Sequence, residues 1–431
     1  MTVLQSWMDN VVTSLKKSGP VVFLESQLTQ HPDGNTSFIA GMPRTQLIGK
    51  ENTVFIYNRG NPKPITRKGN IWNLAANYLH THADWYFGYL SYDLKNSIEQ
   101  LYSNNGDPIK APEFGLFSPG FLAKVDHTTQ QKKVLRDDFD LNIVGTGNHS
   151  TTTNRSTTAN MHIGKLSYSV SPEAYQRTIE KAKELIYEGD IYEINLAHQS
   201  KAAFTGDPFQ LYKEMRKVGP VPFGAYLSLN NIDVCCASPE RFLAKKGNKV
   251  WSHPIKGTTK RSADPATDKK LKEALTTSEK EQAENLMIVD LVRHDLNKIA
   301  IPGSVKVEKL FDVETFETVH QMVSRITARS NKNNILDIIK SCFPMGSMTG
   351  APKIRAMQRI EELELFRRGM YSGAIGYITP ENDFDFNVVI RTAIIKNRSL
   401  YYAAGGAITC DSDPKNEWYE TLLKKQALIN V

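Results

Sequence analysis

Short apolar runs separated by turn residues dominate the first third of the chain. VVFLES (21–26), NTVFIY (52–57) and WYFGYLSY (85–92) are bounded by Gly, Pro, Asn and Asp. Runs of this length, rich in β-branched and aromatic residues, are typical of β-strands. This part of the chain is therefore predicted to form strands joined by turns.

Helical periodicity enters after residue 160. Ser171 is placed to cap a helix that has Pro172 at its first position and Glu173 in its first turn, and Gly189 ends the apolar repeat. Three strands are predicted next, at YEINLAH, GAYLSL and DVCCAS. The remaining predicted elements are a long helix from Asp264 to Asn297 that can contain a break, a helix from Ala351 to Phe366, the strands NVVIRTAII and LYYAAGGAI around the turn KNRS, and a helix from Pro414 to Leu428.

Recurring hairpin-like strand pairs without strict βαβ alternation indicate an α/β (α+β) protein with a large, mostly antiparallel sheet system. GTGNHSTTTNRSTTAN, residues 145–160, offers almost nothing to bury and reads as a linker or surface loop. The predicted organisation is an N-terminal region at 1–144, this linker, and a C-terminal domain at 161–431.

Composition narrows the class of protein. The chain has 431 residues, 40% of them hydrophobic, with 53 basic and 46 acidic side chains. These values are ordinary for globular proteins and exclude disorder or a coiled coil for the whole chain. The basic residues are scattered, so no nucleic-acid partner is expected.

Targeting signals are not evident either. Asp9, Lys16 and Lys17 interrupt the N-terminus where a signal peptide needs an apolar run, and no stretch reaches the roughly 18 apolar residues of a membrane span. The four cysteines contain no C-x-x-C pattern, which favours a reducing compartment. We expect a cytoplasmic protein with no membrane partner.

Two predicted helices each place two carboxylates on one face. Glu281 and Glu284 are three residues apart, as are Glu417 and Glu420. Spacing alone favours solvated helix faces, since such pairs are common. Apolar residues after Glu284 and a Gly-Gly strand exit before Glu417 favour the alternative, a Mg²⁺ site, because buried carboxylates need a cation.

Three further side chains have an ordinary and a chemical interpretation. Lys256 in HPIKGTTKR is either an exposed loop lysine or, in an apolar cleft, a less protonated amine able to act as nucleophile or base. Glu240 in SPERF is a strand-end charge or a general acid or base. His320 in FETVHQMVS is a hydrogen-bonded core histidine or a proton donor to a leaving group.

An anion site is indicated near the C-terminus. Arg391 lies inside the apolar run NVVIRTAII, where its burial is costly unless it meets an anion. Tyr371, Gly405, Gly406 and Lys424 are placed to complete a pocket lined for anions.

Nine ordered motifs now point to a family. They are SPERF, PIKGTTKR, AENLMIVDLVRHDL, VHQMVS, FPMGSMTGAPKIRAM, YSGAIGY, VVIRTA, AAGGAI and DPKNEWYETLLKK. In this order, across about residues 165–427, they resemble the chorismate-utilising enzymes, which include anthranilate, aminodeoxychorismate, isochorismate and salicylate synthases. FLESQLTQHPDG and FGYLSYDLKN resemble the N-terminal region of the amino-transferring members more loosely.

Two positions discriminate within that family. Lys256 stands where anthranilate synthases generally have Ala and aminodeoxychorismate synthases have a lysine that attacks chorismate. Glu193 stands where isochorismate and salicylate synthases have a lysine that activates water, which argues against water as the nucleophile. GPVPFGAYL also resembles the aminodeoxychorismate branch, whereas Ala407 departs from a glycine found in many relatives.

The resemblance implies an anthranilate synthase component I-like fold, with packed antiparallel sheets, peripheral helices and a cleft between the layers, whose sheet system includes the N-terminal strands. It implies Mg²⁺-dependent conversion of chorismate and ammonia to 4-amino-4-deoxychorismate, for 4-aminobenzoate and folate synthesis. The implied roles are covalent attack by Lys256; proton transfer by Glu240 and His320; substrate binding by Thr258, Tyr371, Arg391, Gly405, Gly406 and Lys424; and Mg²⁺ binding by Glu281, Glu284, Glu417 and Glu420.

No cysteine has the surroundings of a glutaminase nucleophile, so a separate glutamine amidotransferase subunit is the expected source of ammonia. One alternative function is anthranilate synthase component I, for tryptophan biosynthesis, on the same fold. Another is a non-catalytic sensor that binds tryptophan around Leu24, Glu25 and Ser26; the four carboxylates and Lys256 argue against it.

Overall fold

The computed structural model describes residues 2–28, 34–141, 161–316, 319–332 and 334–429, so the linker predicted at 145–160 lies outside the described residues. The helices are α1 (Val3–Ser18), α2 (Ile71–Thr81), α3 (Lys95–Ile98), α4 (Pro172–Tyr187), α5 (Pro208–Val218), α6 (Pro265–Thr277), α7 (Glu279–Asn297), α8 (Ile335–Cys342), α9 (Lys353–Leu363), α10 (Pro414–Lys424) and α11 (Gln426–Ile429).

The strands of the N-terminal part are β1 (Val21–Glu25), β2 (Thr36–Lys50), β3 (Thr53–Asn58), β4 (Ile65–Lys68), β5 (Tyr86–Leu90), β6 (Phe114–Asp126) and β7 (Gln131–Asp137). Those of the C-terminal part are β8 (His162–Ile163), β9 (Ser167–Tyr168), β10 (Glu193–Thr205), β11 (Phe223–Leu229), β12 (Ile232–Ser238), β13 (Arg241–Lys246), β14 (Lys249–His253), β15 (Ile255–Lys260), β16 (Lys306–Thr315), β17 (Val319–Arg329), β18 (Gly350–Ala351), β19 (Ala374–Ile378), β20 (Phe384–Asn387), β21 (Thr392–Lys396) and β22 (Ser399–Ile408).

Local capping chemistry sets the helix boundaries. The Ser171 side chain accepts a hydrogen bond from the backbone N–H of Ala174, which confirms the predicted start of α4. The long helix predicted from Asp264 is broken at Ser278, whose backbone is extended and whose side chain caps α7. The prediction that a helix begins at Ala351 was wrong, because Ala351 pairs with Glu193 as a strand.

The N-terminal and C-terminal parts share one antiparallel sheet system. β1 lies between β2 and β11, and β5 lies between β6 and β19. The predicted fold class and the expectation that the N-terminal strands join the catalytic part are therefore confirmed. Two strands after residue 160, β11 and β19, therefore each pair with a strand of the N-terminal part.

Alternating side chains along the strands pack on opposite faces of the sheet. Val21 and Phe23 lie in an apolar cluster with α1 and α5, whereas Val22 lies in a second cluster built from strand and loop residues. A third cluster packs α2, α7 and α8 against the sheet. Helices thus surround packed sheet layers. Within the described segments, no helix has both the length and the apolar character that crossing a membrane requires.

Candidate functional site

Lys256 and Glu193 form a buried ion pair. Lys256 is on β15 and Glu193 begins β10, two strands that do not pair with each other, and Lys256 Nζ donates to Glu193 Oε1 at 2.8 Å. The Glu193 side chain is 1% exposed and that of Lys256 10%. Because Lys256 lies in a strand and is mostly covered, the interpretation as an exposed loop lysine is wrong.

The protonation of Lys256 differs from the prediction. Burial by itself lowers the pKa of the Lys256 amine, but Glu193, followed by Glu284 and Glu240, outweighs burial and holds this pKa above its ordinary value. The expected loss of protonated character was wrong because carboxylates surround the lysine. The surrounding carboxylates therefore favour the protonated form of this amine.

Glu240 lies at the turn into β13 and is 5% exposed. Burial raises the pKa of its carboxyl group to about 7, although the hydroxyl of Ser347 donates a 2.7 Å hydrogen bond to Oε1 and Lys256 favours the charged form. A carboxyl group with this pKa can gain or lose a proton near neutral pH. This geometry agrees with the acid or base interpretation.

His320 has partners on both ring nitrogens. Its Nε2 lies 3.0 Å from Asp268 Oδ1, and its Nδ1 lies 3.0 Å from Thr315 Oγ1. The side chain is buried on β17 beside Thr259 of β15, in the arrangement of a hydrogen-bonded core histidine. Thr258 accepts a 3.3 Å hydrogen bond from the amide of Gln321. The catalytic role of His320 stays a prediction.

The α7 carboxylates are short of positive charge. Burial raises the pKa of Glu284 to about 7, with Glu281 adding to the shift and Lys256 opposing it. Burial also raises the pKa of Glu281, and the charge of Glu420 reinforces this shift. Lys280 lies 3.9 Å from Glu284, at the outer limit of an ion pair.

The α10 carboxylates differ from each other. Glu417 is 8% exposed; burial and the neighbouring Glu420 raise its pKa. For Glu420, the charge and hydrogen bond of Lys424 outweigh burial and lower the pKa. Lys424 Nζ also donates a 2.7 Å hydrogen bond to the carbonyl oxygen of Gly405, which fixes α10 against β22.

Two glycines make room for these carboxylates. A Cβ atom on Gly406 would lie 2.8 Å from Glu417 Oε2, and one on Gly257 would lie 2.8 Å from Glu281 Oε2. Gly257 also has a φ of +83°, which other residues rarely adopt. The glycine in the Lys256 motif therefore brings the strand close to α7.

The carboxylates do not form a closed metal site. Across the described segments, no three His, Cys, Asp or Glu side chains converge closely enough to hold an ion. The donor set still suits Mg²⁺, because three of the four glutamates are buried enough to raise their pKa and the two glycines leave room beside them.

Arg391 corrects a sequence prediction. NVVIRTAII is not one strand, since β20 ends at Asn387 and β21 begins at Thr392. Arg391 lies in the break with a φ of +51°. Burial lowers the pKa of its guanidinium, and the charges of Tyr402 and Glu240 offset only part of this shift. A half-buried arginine whose charge is only partly compensated is a fitting site for a substrate carboxylate.

Tyr371 is 5% exposed and packs in the interior, with its ring centroid 6.4 Å from that of Phe366 and 5.8 Å from the guanidinium of Arg368. Burial raises the pKa of its hydroxyl. Its predicted contact with substrate is not tested by this arrangement.

A separate cavity of about 190 Å³ is bordered by Leu24, Glu25 and Ser26. The Glu25 carboxylate accepts hydrogen bonds from Tyr212 at 2.6 Å and from Arg216 at 2.9 Å, so α5 satisfies its charge. Tryptophan binding in this cavity stays a prediction.

Sequence reasoning missed two partners. It used Glu193 only to exclude a lysine at that position and did not pair it with Lys256, and it did not single out Ser347. The apolar surroundings of Glu193 in IYEINLA were a usable signal, because a buried carboxylate requires a partner. Ser347 had no comparable signal.

Comparison with known proteins identifies the family. A family model described as chorismate binding enzyme matches residues 22–430. The chain therefore belongs to the chorismate binding enzyme family. It is 37% identical over 387 residues to the "Probable aminodeoxychorismate synthase, chloroplastic" of Oryza sativa subsp. japonica, covering 80% of this chain and 43% of the relative, so it spans less than half of that relative's length.

Two other relatives match over nearly their whole length. The anthranilate synthase component 1 of Aquifex aeolicus is 31% identical over 450 residues, covering 98% of this chain and 91% of the relative. The crystal structure of anthranilate synthase component I from Streptococcus pneumoniae TIGR4 superposes with a TM-score of 0.78 at 28% identity, covering 91% of each chain. The expected component I-like fold is confirmed.

Proposed function

We propose that this chain converts chorismate and ammonia to 4-amino-4-deoxychorismate. The observation that carries this proposal is the position of Lys256, buried in the site beside Glu193 and under the influence of Glu240 and Glu284. The relative with 37% identity is named an aminodeoxychorismate synthase, whereas the Aquifex anthranilate synthase is 31% identical. The amine of Lys256 is the nucleophile that distinguishes formation of 4-amino-4-deoxychorismate from formation of anthranilate.

In this reaction the neutral amine of Lys256 forms a bond to C2 of chorismate as the C4 hydroxyl leaves with a proton as water. Ammonia then forms a bond to C4, and the bond between C2 and the lysine breaks, which releases the amine. The net change is chorismate plus ammonia to 4-amino-4-deoxychorismate plus water. Glu240 is the group for protonating the departing hydroxyl, since its carboxyl group has a pKa of about 7.

Substrate carboxylates are assigned to cationic and backbone groups around this centre. Arg391 and Lys424 are proposed to supply positive charge. Gly405 and Gly406 are the proposed substrate contacts on β22. Thr258 and Tyr371 complete the proposed set.

Mg²⁺ is proposed to be held by Glu284 and Glu420, with Glu281 and Glu417 directly or through water. When bound, the ion supplies positive charge for a substrate carboxylate. Of these donors, Glu281, Glu284 and Glu417 have raised pKa values, which indicates that their charges lack compensation in the chain alone.

A separate glutamine amidotransferase is proposed as the source of ammonia. The name "component 1" of the Aquifex relative supports assembly with a second component. Three of the four cysteines are buried, and burial raises the pKa of each of their thiols, so none of these three resembles a glutaminase nucleophile. The cytoplasmic location stays a prediction from the sequence.

The test is product identification with chorismate, Mg²⁺ and an ammonium salt. We expect 4-amino-4-deoxychorismate by mass spectrometry and its conversion to 4-aminobenzoate by an added lyase. Lys256→Ala should lower this turnover by several orders of magnitude, on the order of 10³-fold or more. The matched control is Lys260→Ala, an exposed lysine on the same strand, which should retain turnover.

Fluorescent 2-aminobenzoate as the main product would instead make the chain an anthranilate synthase. Lys256→Arg should fail like Lys256→Ala, because a guanidinium stays protonated. Formation of 4-amino-4-deoxychorismate by Lys256→Ala at close to the parent rate would exclude covalent catalysis by this lysine.

A further inference from the structure

The Glu193 carboxylate is held almost entirely by one partner. Its Oε1 accepts the 2.8 Å hydrogen bond from Lys256 Nζ, while its Oε2 is buried with no hydrogen-bond partner among the described residues. A buried carboxylate normally accepts hydrogen bonds from several donors. Lys256 Nζ is therefore the hydrogen-bond donor that holds the Glu193 carboxylate among the described residues.

The other carboxylates around the lysine are engaged differently. Glu240 Oε1 already accepts from Ser347 at 2.7 Å, and Glu284 lies 3.9 Å from Lys280. Both affect Lys256 by charge, whereas Glu193 is also joined to its Nζ by a hydrogen bond. A proton can move along that bond without any rearrangement of the strands.

We propose that Glu193 is a positioning residue that holds Lys256 Nζ in place and takes its proton when the amine is needed as a nucleophile. This inference rests on the proposed function. In the step, the N–H bond of the lysine ammonium breaks and an O–H bond forms on Glu193, leaving a neutral amine and a neutral carboxylic acid. The same proton returns when the lysine is released.

Burial favours this exchange. In water, an ammonium and a carboxylate are far more stable than an amine and a carboxylic acid. Removal of both groups from water destabilises the two charges, so the free-energy difference between the charged and neutral pairs becomes smaller. Glu193 thus stabilises the ammonium form of Lys256 and is also the acceptor of its proton.

A purely structural role makes a different prediction. If Glu193 only links β10 to β15, its neutral isostere should leave a less protonated and more reactive lysine, and turnover should be unchanged or faster. If Glu193 accepts the proton, the isostere should give a more reactive lysine toward a simple reagent and a slower enzyme. Lys256 becomes more reactive while turnover falls only if Glu193 accepts the proton.

The experiment compares Glu193→Gln and Glu193→Asp with the parent chain. Competitive acetylation of Lys256 with acetic anhydride, read by mass spectrometry, gives the pH at which the amine becomes reactive, and steady-state assays give kcat and KM. Glu308→Gln is the matched control, since Glu308 forms a 2.9 Å pair with Lys249 at the surface.

In Glu193→Gln, the acetylation midpoint should move to lower pH by about one unit or more, since removal of the anion destabilises the ammonium. Its kcat should fall about a hundredfold with the KM for chorismate changed by less than about threefold. Glu193→Asp should recover part of the kcat, and Glu308→Gln should match the parent in both measurements.

An unchanged acetylation midpoint in Glu193→Gln, or a kcat at or above the parent value, would overturn the proposal. If Glu193→Gln does not fold, Glu193→Asp decides through the same two measurements, with a smaller midpoint shift and a smaller loss of kcat expected. If the parent chain makes no product that depends on Lys256, the proposed function is wrong instead. The acetylation comparison would still measure how Glu193 affects the protonation of Lys256.

Discussion

The Ser347 hydroxyl donates a 2.7 Å hydrogen bond to Glu240 Oε1 across 107 residues of sequence. This bond stabilises the charged carboxylate and opposes the burial that raises the Glu240 pKa to about 7. Ser347 is on the turn before α9 and is 6% exposed, so water does not readily replace its hydroxyl. The residue is thus placed to adjust the pH at which Glu240 changes protonation.

Ser347→Ala should move one limb of the pH profile to higher pH. Without the donor, the charged form of Glu240 loses stabilisation, and its pKa should rise by roughly one unit, the equivalent of a charge-assisted hydrogen bond. The measurement is kcat/KM for chorismate as a function of pH. Glu240→Gln should lack that limb. If the limb does not shift in Ser347→Ala, the ionisation of Glu240 does not control kcat/KM.

Glu284→Gln and Glu420→Gln should each remove most Mg²⁺-dependent turnover while the chain stays folded. A neutral amide is a poorer Mg²⁺ ligand than a carboxylate of the same shape. Added Mg²⁺ should raise the Tm of the parent chain and have a smaller effect on either variant. Glu279→Gln, at the exposed start of α7, is the control that should behave like the parent. Equal turnover in EDTA and in Mg²⁺ would contradict the metal assignment.

Gly406→Ala and Gly405→Ala should separate damage to the site from damage to the fold. A Cβ on Gly406 meets the end of the Glu417 side chain, which can move, whereas one on Gly405 would lie 2.7 Å from the Cα of Ala197 in the neighbouring strand. We expect Gly406→Ala to keep its Tm within a few degrees and to need about tenfold more Mg²⁺. Gly405→Ala should lower the Tm strongly. Similar Tm losses in both would argue against a specific role for Gly406.

Lys425→Met should stabilise the chain at neutral pH. Lys425 is fully buried against His198, and burial lowers its pKa from 10.5 to about 7. Since the unfolded chain binds more protons between these pH values, this lysine destabilises the fold most at low pH, and the stability of the parent rises as pH increases from 7 to 10.5. The variant should gain on the order of 4 kcal/mol of unfolding free energy at pH 7 and about 1 at pH 10.

Urea unfolding at the two pH values measures this difference. Lys415→Met, at an exposed position of α10, should change the stability by less than about 0.5 kcal/mol. A gain that is the same at both pH values would show that improved packing, and not loss of a buried charge, stabilises the variant.

Features governed by neighbouring residues could be read from the sequence. Ser171 and Asp264 cap helices through their own side chains, and the glutamates three apart on α7 and α10 share a face as helical geometry requires. The order of the motifs also predicted the family. These signals depend on spacing within a few residues.

Features set by distant contacts could not be read in this way. The partners Glu193 and Lys256 are 63 residues apart, and no local pattern connects them. Arg391 was misplaced for a related reason: VVIR has the composition of a strand, but backbone groups of Glu240 and Gly373 bond to Val388 and Val389 and divide the run. Tertiary hydrogen bonds override β-propensity there.

The pairing of β1 with β11 and of β5 with β19 has a consequence for how the protein can be divided. A fragment that begins at residue 161 would leave one side of each C-terminal partner strand open, presenting rows of free amide and carbonyl groups. Such borders recruit strands from other molecules. The C-terminal part that carries Lys256 would therefore be expected to self-associate when produced alone. By pairing with β11 and β19, β1 and β5 protect the protein against aggregation.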